Sequence, residues 1–308
     1  MSEWFKVPLS KSGVGQPTEG SNPSLSAQAL ITMKISSFQF LIWNFYKEHK
    51  RSLPWRPPSL PFQKDGTLDS YRIFVSEVML QQTQISRVID KFPQFIDSFP
   101  SFKQLASASL ASVLQVWQGM GYNRRGKYLH ESARIMIQQY QNVIPQDPLE
   151  LVKLPGIGPA TAGSIIVFTY NMPLVFIETN IRRVMIHHYF EDVNQVNDRE
   201  IVPIITQTLD HSNPREWYYA LMDYGSYLAK QIPNPNRKSK HYNKQSQFEG
   251  SNRQVRGAVL QSLLKQNFQK LSNLHQSLPF EDERIGSVLR DLVKEGMVFE
   301  KNGKFGIE

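Results

Sequence analysis

Cysteine is absent from all 308 residues. That excludes disulfides, thiolate zinc sites and iron–sulfur clusters held by cysteine. Long apolar runs are absent too: no stretch of about 18 apolar residues occurs, so no transmembrane helix is expected. The opening, MSEWFKVPLSKSGVGQPTEGSNPSLSA, lacks the apolar core of a secretory signal. The expectation from these absences is an intracellular, cytoplasmic protein without a membrane partner. Acidic side chains are in deficit, 27 Asp and Glu against 35 Lys and Arg, for a formal net charge of +8. The excess favours a polyanionic partner, nucleic acid first. What remains is ordinary globular material, 40% apolar and 20% charged, enough for one large domain or two.

Residues 1–32 are rich in Ser, Gly and Pro, without periodicity, and are expected to be disordered or spurious. The codons GGT TCG AAT CC, the T-arm core of many tRNA genes, translate as the GSNP at 20–23. The segment therefore reads as a tRNA gene translated by mistake, with Met33 as the true start. From 33 to 230 the apolar residues recur at helical spacing and no strand pattern stands out, so the body is expected to be all-α. SEVMLQQTQISRVID, 76–90, reads as one helix, with the acid Glu77 and three glutamines set among apolar residues. Residues 231–250 read as a basic linker. From 251, three short helical patterns precede MVFEKNGKFGIE, where Asn302-Gly303 is a hairpin signal, which suggests a small winged-helix-like α+β domain.

Three motifs carry chemistry. In LPGIGPATAG, 154–163, Gly156 and Gly158 permit a tight turn between two helices. Exposed N–H groups at such a turn form an anion site, so Pro155, Gly156, Ile157, Gly158 and Ala160 are candidates to grip a DNA phosphate. In VFIETNIRRV, Glu178 either caps the following helix or aims negative charge at a developing cation. The segments RSLPWR and GMGYNRRGKYLH add Arg51, Trp55, Tyr122, Arg124 and Arg125 as stacking faces and cations; taken singly, the aromatics read as core packing and the arginines as a solvated face. His187 and His188, adjacent on a helix, read as ordinary packing.

The order LPWR, SEVMLQQTQ, GMGY, LPGIGPATAG, IETNIRRV, over roughly residues 37 to 230, resembles adenine DNA glycosylases of the MutY type, in the helix–hairpin–helix glycosylase superfamily. The resemblance implies a two-lobed all-α body. It also implies a partner, double-stranded DNA with a mismatched or damaged base, bound by a monomer, here in a bacterial, nucleoid-associated setting. Glu77 would be the general acid that protonates the adenine. An acid does this near neutral pH only where an apolar setting raises its pKa. Glu178 would stabilise the oxocarbenium-like cation, and Asn180 would position the acid or the attacking water. Gln82 with Tyr122 would fill the stack left by the extruded base, with Gln81 beside them. Arg51, Leu53, Trp55 and Arg56 would line the base pocket.

The departures from the family carry expectations of their own. Glu178 stands where the family has aspartate. Ala160 stands where lyase-competent relatives carry a nucleophilic lysine, and Arg182 replaces another lysine, so a monofunctional glycosylase is expected. Tyr219 occupies the position that presents Gln or Glu to the adenine edge. Ala229 replaces the first cluster cysteine, so no cofactor is expected. The loop cations Arg237, Lys238 and Lys240 would then contact phosphates directly. The C-terminal segment does not resemble the domain that reads 8-oxoguanine.

Overall fold

A computed structural model describes residues 34–245 and 247–308; the reading of residues 1–32 lies outside them. The helices are α1 (Ile35–His49), α2 (Ser70–Leu80), α3 (Ile85–Ser98), α4 (Phe102–Ser107), α5 (Leu110–Trp117) and α6 (Arg124–Tyr140). They continue as α7 (Pro148–Leu151), α8 (Pro159–Tyr170), α9 (Thr179–Tyr189), α10 (Asp198–Thr208) and α11 (Pro214–Gln231). After a 3₁₀ turn, Pro235–Lys238, come α12 (Asn252–Lys265), β1 (Gln269–Lys270), α13 (Leu271–Ser277), α14 (Asp282–Lys294), β2 (Phe299–Lys301) and β3 (Lys304–Gly306). The body is all-α and the C-terminal segment is winged-helix-like, as the periodicity predicts. The sequence reading missed β1, two residues long, which pairs with β3 to extend the hairpin into a sheet of order β1-β3-β2.

The described residues fall into two compact units, described separately. One comprises the chain up to Ser52 with Pro159–Asn243; the other comprises Leu53–Gly158 with Lys244–Glu308. In the first unit, Phe38 of α1 packs edge-on against Tyr189 of α9 and Trp217 of α11, with centroids 5.3 and 6.1 Å away. Helix α8 is buried on nearly every side and ends at Asn171, which turns left-handed at φ +58°. The carbonyls freed at that end are taken by a buried arginine: Arg215 Nε donates to Phe168 O and Nη2 to Thr169 O, both at 2.7 Å. Buried helix ends need such partners. Gly225 of α11 lies against α9; a Cβ there would sit 2.5 Å from Asn180 O.

In the second unit, α2 buries Phe74, Val75, Val78 and Met79. Its N-terminus is capped by Asp69, whose side chain accepts from the Arg72 amide. The C-terminal segment shares this unit's core. Leu114 of α5 is buried among Val255, Val259, Leu263, Ile285, Leu289 and Ile307. The Ala111 amide donates to the Glu308 carbonyl at 2.6 Å.

Candidate active site and nucleic-acid interface

Glu77 lies on α2, half-buried, between the buried Ser76 and Val78. One expectation needs correction here. Residues 76–90 are not one helix: α2 stops at Leu80, Gln81–Gln84 form a turn, and α3 begins at Ile85. Gln82 is exposed and left-handed, φ +53°. The cause is Arg125. Its Nη1 donates to Val78 O (3.1 Å) and Met79 O (3.0 Å). Its Nη2 donates to Thr83 Oγ1 (2.8 Å) and to the Met120 and Gly121 carbonyls (3.2 Å each). One buried guanidinium thus ends the helix and ties its last carbonyls to the Gly119–Tyr122 turn. Burial pulls its pKa down to about 10, which leaves it charged at neutral pH. Arg125 is therefore a strap rather than a cation for phosphate. Arg124 is also engaged: its Nε donates to Glu295 Oε2 at 3.2 Å.

The glycine turn is built against the same unit. Gly156 has φ +74°, and a Cβ on it would lie 2.7 Å from Tyr128 Cδ2, so both its backbone angle and its neighbour require glycine. Its carbonyl accepts from Gln81 Nε2 at 3.1 Å, and the Pro155 carbonyl accepts from Ser132 Oγ at 3.4 Å. Ile157 is buried beneath the turn, and a Cβ on Gly158 would meet open space. Ala160 is half-buried in the first turn of α8. Of the candidate amides, that of Ile157 already donates to the Leu154 carbonyl at 3.2 Å. Tyr122 is left-handed as well, φ +46°. Its hydroxyl accepts from Arg253 Nη1 at 2.7 Å and from Gln245 Nε2.

Three residues expected at the pocket turn out to belong to this unit's packing. Leu53, Trp55 and Arg56 are all buried, with Trp55 edge-on to Phe92 at 5.6 Å. The Leu-Pro-Trp-Arg run is apolar enough to be drawn into the core once α2 and α3 close over it.

In the first unit Glu178 caps α9. Oε1 accepts from the Asn180 and Ile181 amides at 2.7 and 2.8 Å, and Oε2 accepts from Asn180 Nδ2 at 3.1 Å. Asn180 Oδ1 in turn accepts from Arg183 Nη1 at 2.6 Å, and the same nitrogen donates to Gly225 O at 2.8 Å. Of the two readings of Glu178, the cap is the one these bonds describe, with the acid at the N-terminal end of the helix dipole. Burial pushes its pKa up, against the two amides and the charges of Arg183 and Arg182. Arg182 itself forms a two-pronged pair with Asp198, at 2.7 and 2.6 Å.

Arg51 is held by Asp223: Nε donates to Oδ1 at 2.7 Å and the backbone amide to Oδ2 at 2.9 Å. Tyr219 requires a second correction. It is 2% exposed, stacked on Phe168 at 4.6 Å, and so fills the core of this unit rather than presenting an edge to a base. Among the loop cations, Arg237 and Lys240 are exposed, while Lys238 Nζ donates to the Glu191 carbonyl. The loop offers no thiolate to a cluster, and its own bonds fasten it. Asn236 Nδ2 donates to Thr179 O at 3.0 Å, and Val196 bridges Ser239 in parallel. Sequence reasoning missed Asn236, Arg183 and Arg253, since nothing in their local sequence signals a partner 57, 42 or 131 residues away.

Residues 75–202 match the HhH-GPD superfamily of base excision DNA repair proteins. An adenine DNA glycosylase from Mycolicibacterium smegmatis is 39% identical over 153 residues, 50% of this chain and 49% of that one. One from Buchnera aphidicola is 33% identical over 197 residues, 62% of this chain and 53% of that one. One from Mycobacterium tuberculosis is 33% identical over 198 residues, 63% of this chain and 62% of that one. The chain thus spans about half to three fifths of the length of these relatives. Among solved structures, a thermostable thymine-DNA glycosylase aligns with TM-score 0.55 at 22% identity, covering 67% of this chain and 90% of that one. An endonuclease III–DNA complex aligns with TM-score 0.53 at 16% identity, covering 66% and 91%. Over residues 75–202 the chain is therefore similar to the HhH-GPD superfamily of base excision DNA repair proteins, and over its helical body to adenine DNA glycosylases.

Proposed function

We propose that the protein is a monofunctional DNA glycosylase. It hydrolyses the N-glycosidic bond of an adenine flipped out of a mismatch of the A:G or A:8-oxoguanine type. The observation that carries this reading is the place of Glu77: a half-buried acid on the helix that buries Phe74, Val75, Val78 and Met79, one turn before the Arg125-strapped Gln81–Gln84 turn. Glu77 gives its proton to a ring nitrogen of adenine. The base leaves with the bonding electron pair, and the sugar becomes an oxocarbenium-like cation. Water adds to the cation and surrenders a proton to a carboxylate, which restores neutrality. Positioned general acid catalysis supplies roughly 10²–10⁴ in rate. The fixed carboxylate of Glu178 supplies charge of the sign the cation needs. Two positions support a reaction without lyase chemistry: Ala160 carries no amine, and Arg182 is committed to Asp198. The enzyme works without an iron–sulfur cluster, on DNA inside the cell.

Burial of Tyr219 favours a second reading, the same reaction on thymine, uracil or hypoxanthine, because the adenine-facing polar edge is missing there. Duplexes carrying A:G, A:8-oxoguanine, T:G, U:G and hypoxanthine:T, treated with the enzyme and then alkali, separate these. Strand scission confined to adenine-containing strands is expected. Scission of the others instead selects the second reading, and scission without alkali overturns monofunctionality. Salt-dependent binding with no scission anywhere leaves a non-catalytic DNA-binding protein.

A further inference from the structure

The C-terminal segment has no part in the reaction above, yet it builds half of a groove within the second unit. The groove encloses about 1300 Å³. One side is the Gln81–Gln84 turn with the Gly119–Tyr122 turn, and the other is α12. Five arginines and seven glutamines line it, and no carboxylate does. On α12, Arg253, Gly257, Gln261 and Leu264 recur at three- and four-residue spacing and so share the groove face. Gly257 is mid-helix, where glycine weakens a helix relative to alanine. A Cβ on it would meet nothing in the chain itself. The helix therefore keeps a low surface along that face. The guanidiniums of Arg125 and Arg253 lie 5.6 and 5.5 Å from the centroid of the Tyr122 ring. Of the donors to its hydroxyl, Arg253 comes from α12 and Gln245 from the linker before it. A left-handed tyrosine persists only where its surroundings over-determine it.

We propose that this groove holds the DNA strand opposite the excised base, with the α12 face, Arg253 foremost, contacting the nucleotides beside the orphaned partner. Guanidiniums and carboxamides are the groups that pair with phosphates and base edges; Glu295 pairs Arg124 and Arg256 and Arg125 is taken up by carbonyls, so Arg87, Arg253 and the glutamines are the groups the groove offers to a polyanion. The inference rests on the proposed reaction only in naming which strand occupies the groove. The winged-helix-like segment then acts as a second reader, and it sets Tyr122 at the site of the emptied stack.

The test uses the full chain and a duplex with a stable abasic-site analogue opposite guanine, so it does not depend on turnover. 5-Iodouracil placed beside that guanine should crosslink on irradiation to a peptide within Asn252–Lys265. Gly257→Leu, which fills the groove and favours the helix, and Arg253→Gln should each weaken binding of this duplex roughly tenfold, the scale of one lost base-edge contact. Gly257→Leu should do so without lowering the melting temperature. Lys301→Gln, which removes the same charge from the exposed hairpin of the same segment, should cost much less. Crosslinks confined to residues 53–158, wild-type binding by Gly257→Leu, or an equal loss with Lys301→Gln would each overturn the proposal. A wild-type enzyme that excises no adenine but shows the α12 crosslink and the Gly257→Leu defect keeps the groove and loses the reaction. One that excises adenine and fails to crosslink α12 keeps the reaction and loses the groove.

Discussion

At Glu178 each carboxylate oxygen has its own task. Oε1 holds two backbone amides and Oε2 holds Asn180. Burial raises its pKa, against the two amides and the charges of Arg183 and Arg182. The sign follows from linkage: ionising Glu178 costs stability as pH rises through its raised folded pKa, and that cost is absent below the unfolded value. Glu178→Gln should therefore melt at or above wild type near neutral pH, with an advantage that vanishes in acid, while slowing single-turnover excision. Melting curves from pH 4 to 8 beside rate measurements check both halves; a destabilised variant with unchanged rate would remove Glu178 from the chemistry. Glu77→Gln should lower the rate about 10²–10⁴-fold, with binding of an uncleaved duplex retained. Residue-level reading of the sequence succeeded where a role is local, as with the Glu178 cap. It misplaced Tyr219 and Arg125, whose partners are set by packing: an aromatic stacked on Phe168, and a cation whose acceptors are carbonyls of another helix.

The Gln81–Gln84 turn is the element on which the base-extrusion reading stands, and Arg125 makes it. Arg125→Met keeps the bulk and removes every donor. It should destabilise the protein by about 1–3 kcal/mol, the cost of stranding buried acceptors, and it should blunt the response of binding to substitutions at Gln82. Chemical denaturation and binding of Gln82→Ala in both backgrounds measure these. On α9, burial and the neighbouring His187 depress the pKa of His188 to about 4, while its Nε2 lies 3.1 Å from Tyr224 Oη. The unfolded chain takes up that proton near pH 6.5, before the folded chain does. The stability supplied by neutral His188 is thus present above pH 6.5 and lost as pH falls toward 4. His188→Phe should flatten the stability profile over that window. Helices here were legible from periodicity alone. The break after Leu80 was not, because four polar residues in a row fit a solvated helix face as well as a turn until a distant guanidinium claims the carbonyls.

Over the whole molecule, charge and the shared core matter most. Glu295 stands between Arg124 and Arg256, with Arg256 Nη2 donating to Oε2 at 2.5 Å. Burial works to raise its pKa, but the two guanidiniums outweigh burial and hold it below the ordinary value. Its contribution is therefore present above the usual glutamate range and lost as pH falls through the lowered folded pKa. Glu295→Ala should cost on the order of 1 kcal/mol after solvent screening, measured as a shift in denaturation midpoint that shrinks in acid. Binding to duplex DNA should fall linearly in a log–log plot against salt, steeply if several phosphates are engaged. The winged-helix-like outline of the C-terminal segment was visible in its helix lengths and its Asn302-Gly303 turn. Its union with Leu53–Gly158 through Leu114 and the Ala111–Glu308 bond was not.

The sequence by itself determined the fold class, through apolar spacing, and the lack of cysteine in its 308 residues, through composition; its resemblance to adenine DNA glycosylases pointed to a reaction class. Spacing and composition survive without coordinates. Only the tertiary structure decided which arginines strap carbonyls and which pair with carboxylates, where the Glu77 helix ends, and that the C-terminal segment shares a core with the Glu77 unit. Those depend on hydrogen bonds and buried surfaces that join residues tens to hundreds of positions apart, and local pattern carries no record of them.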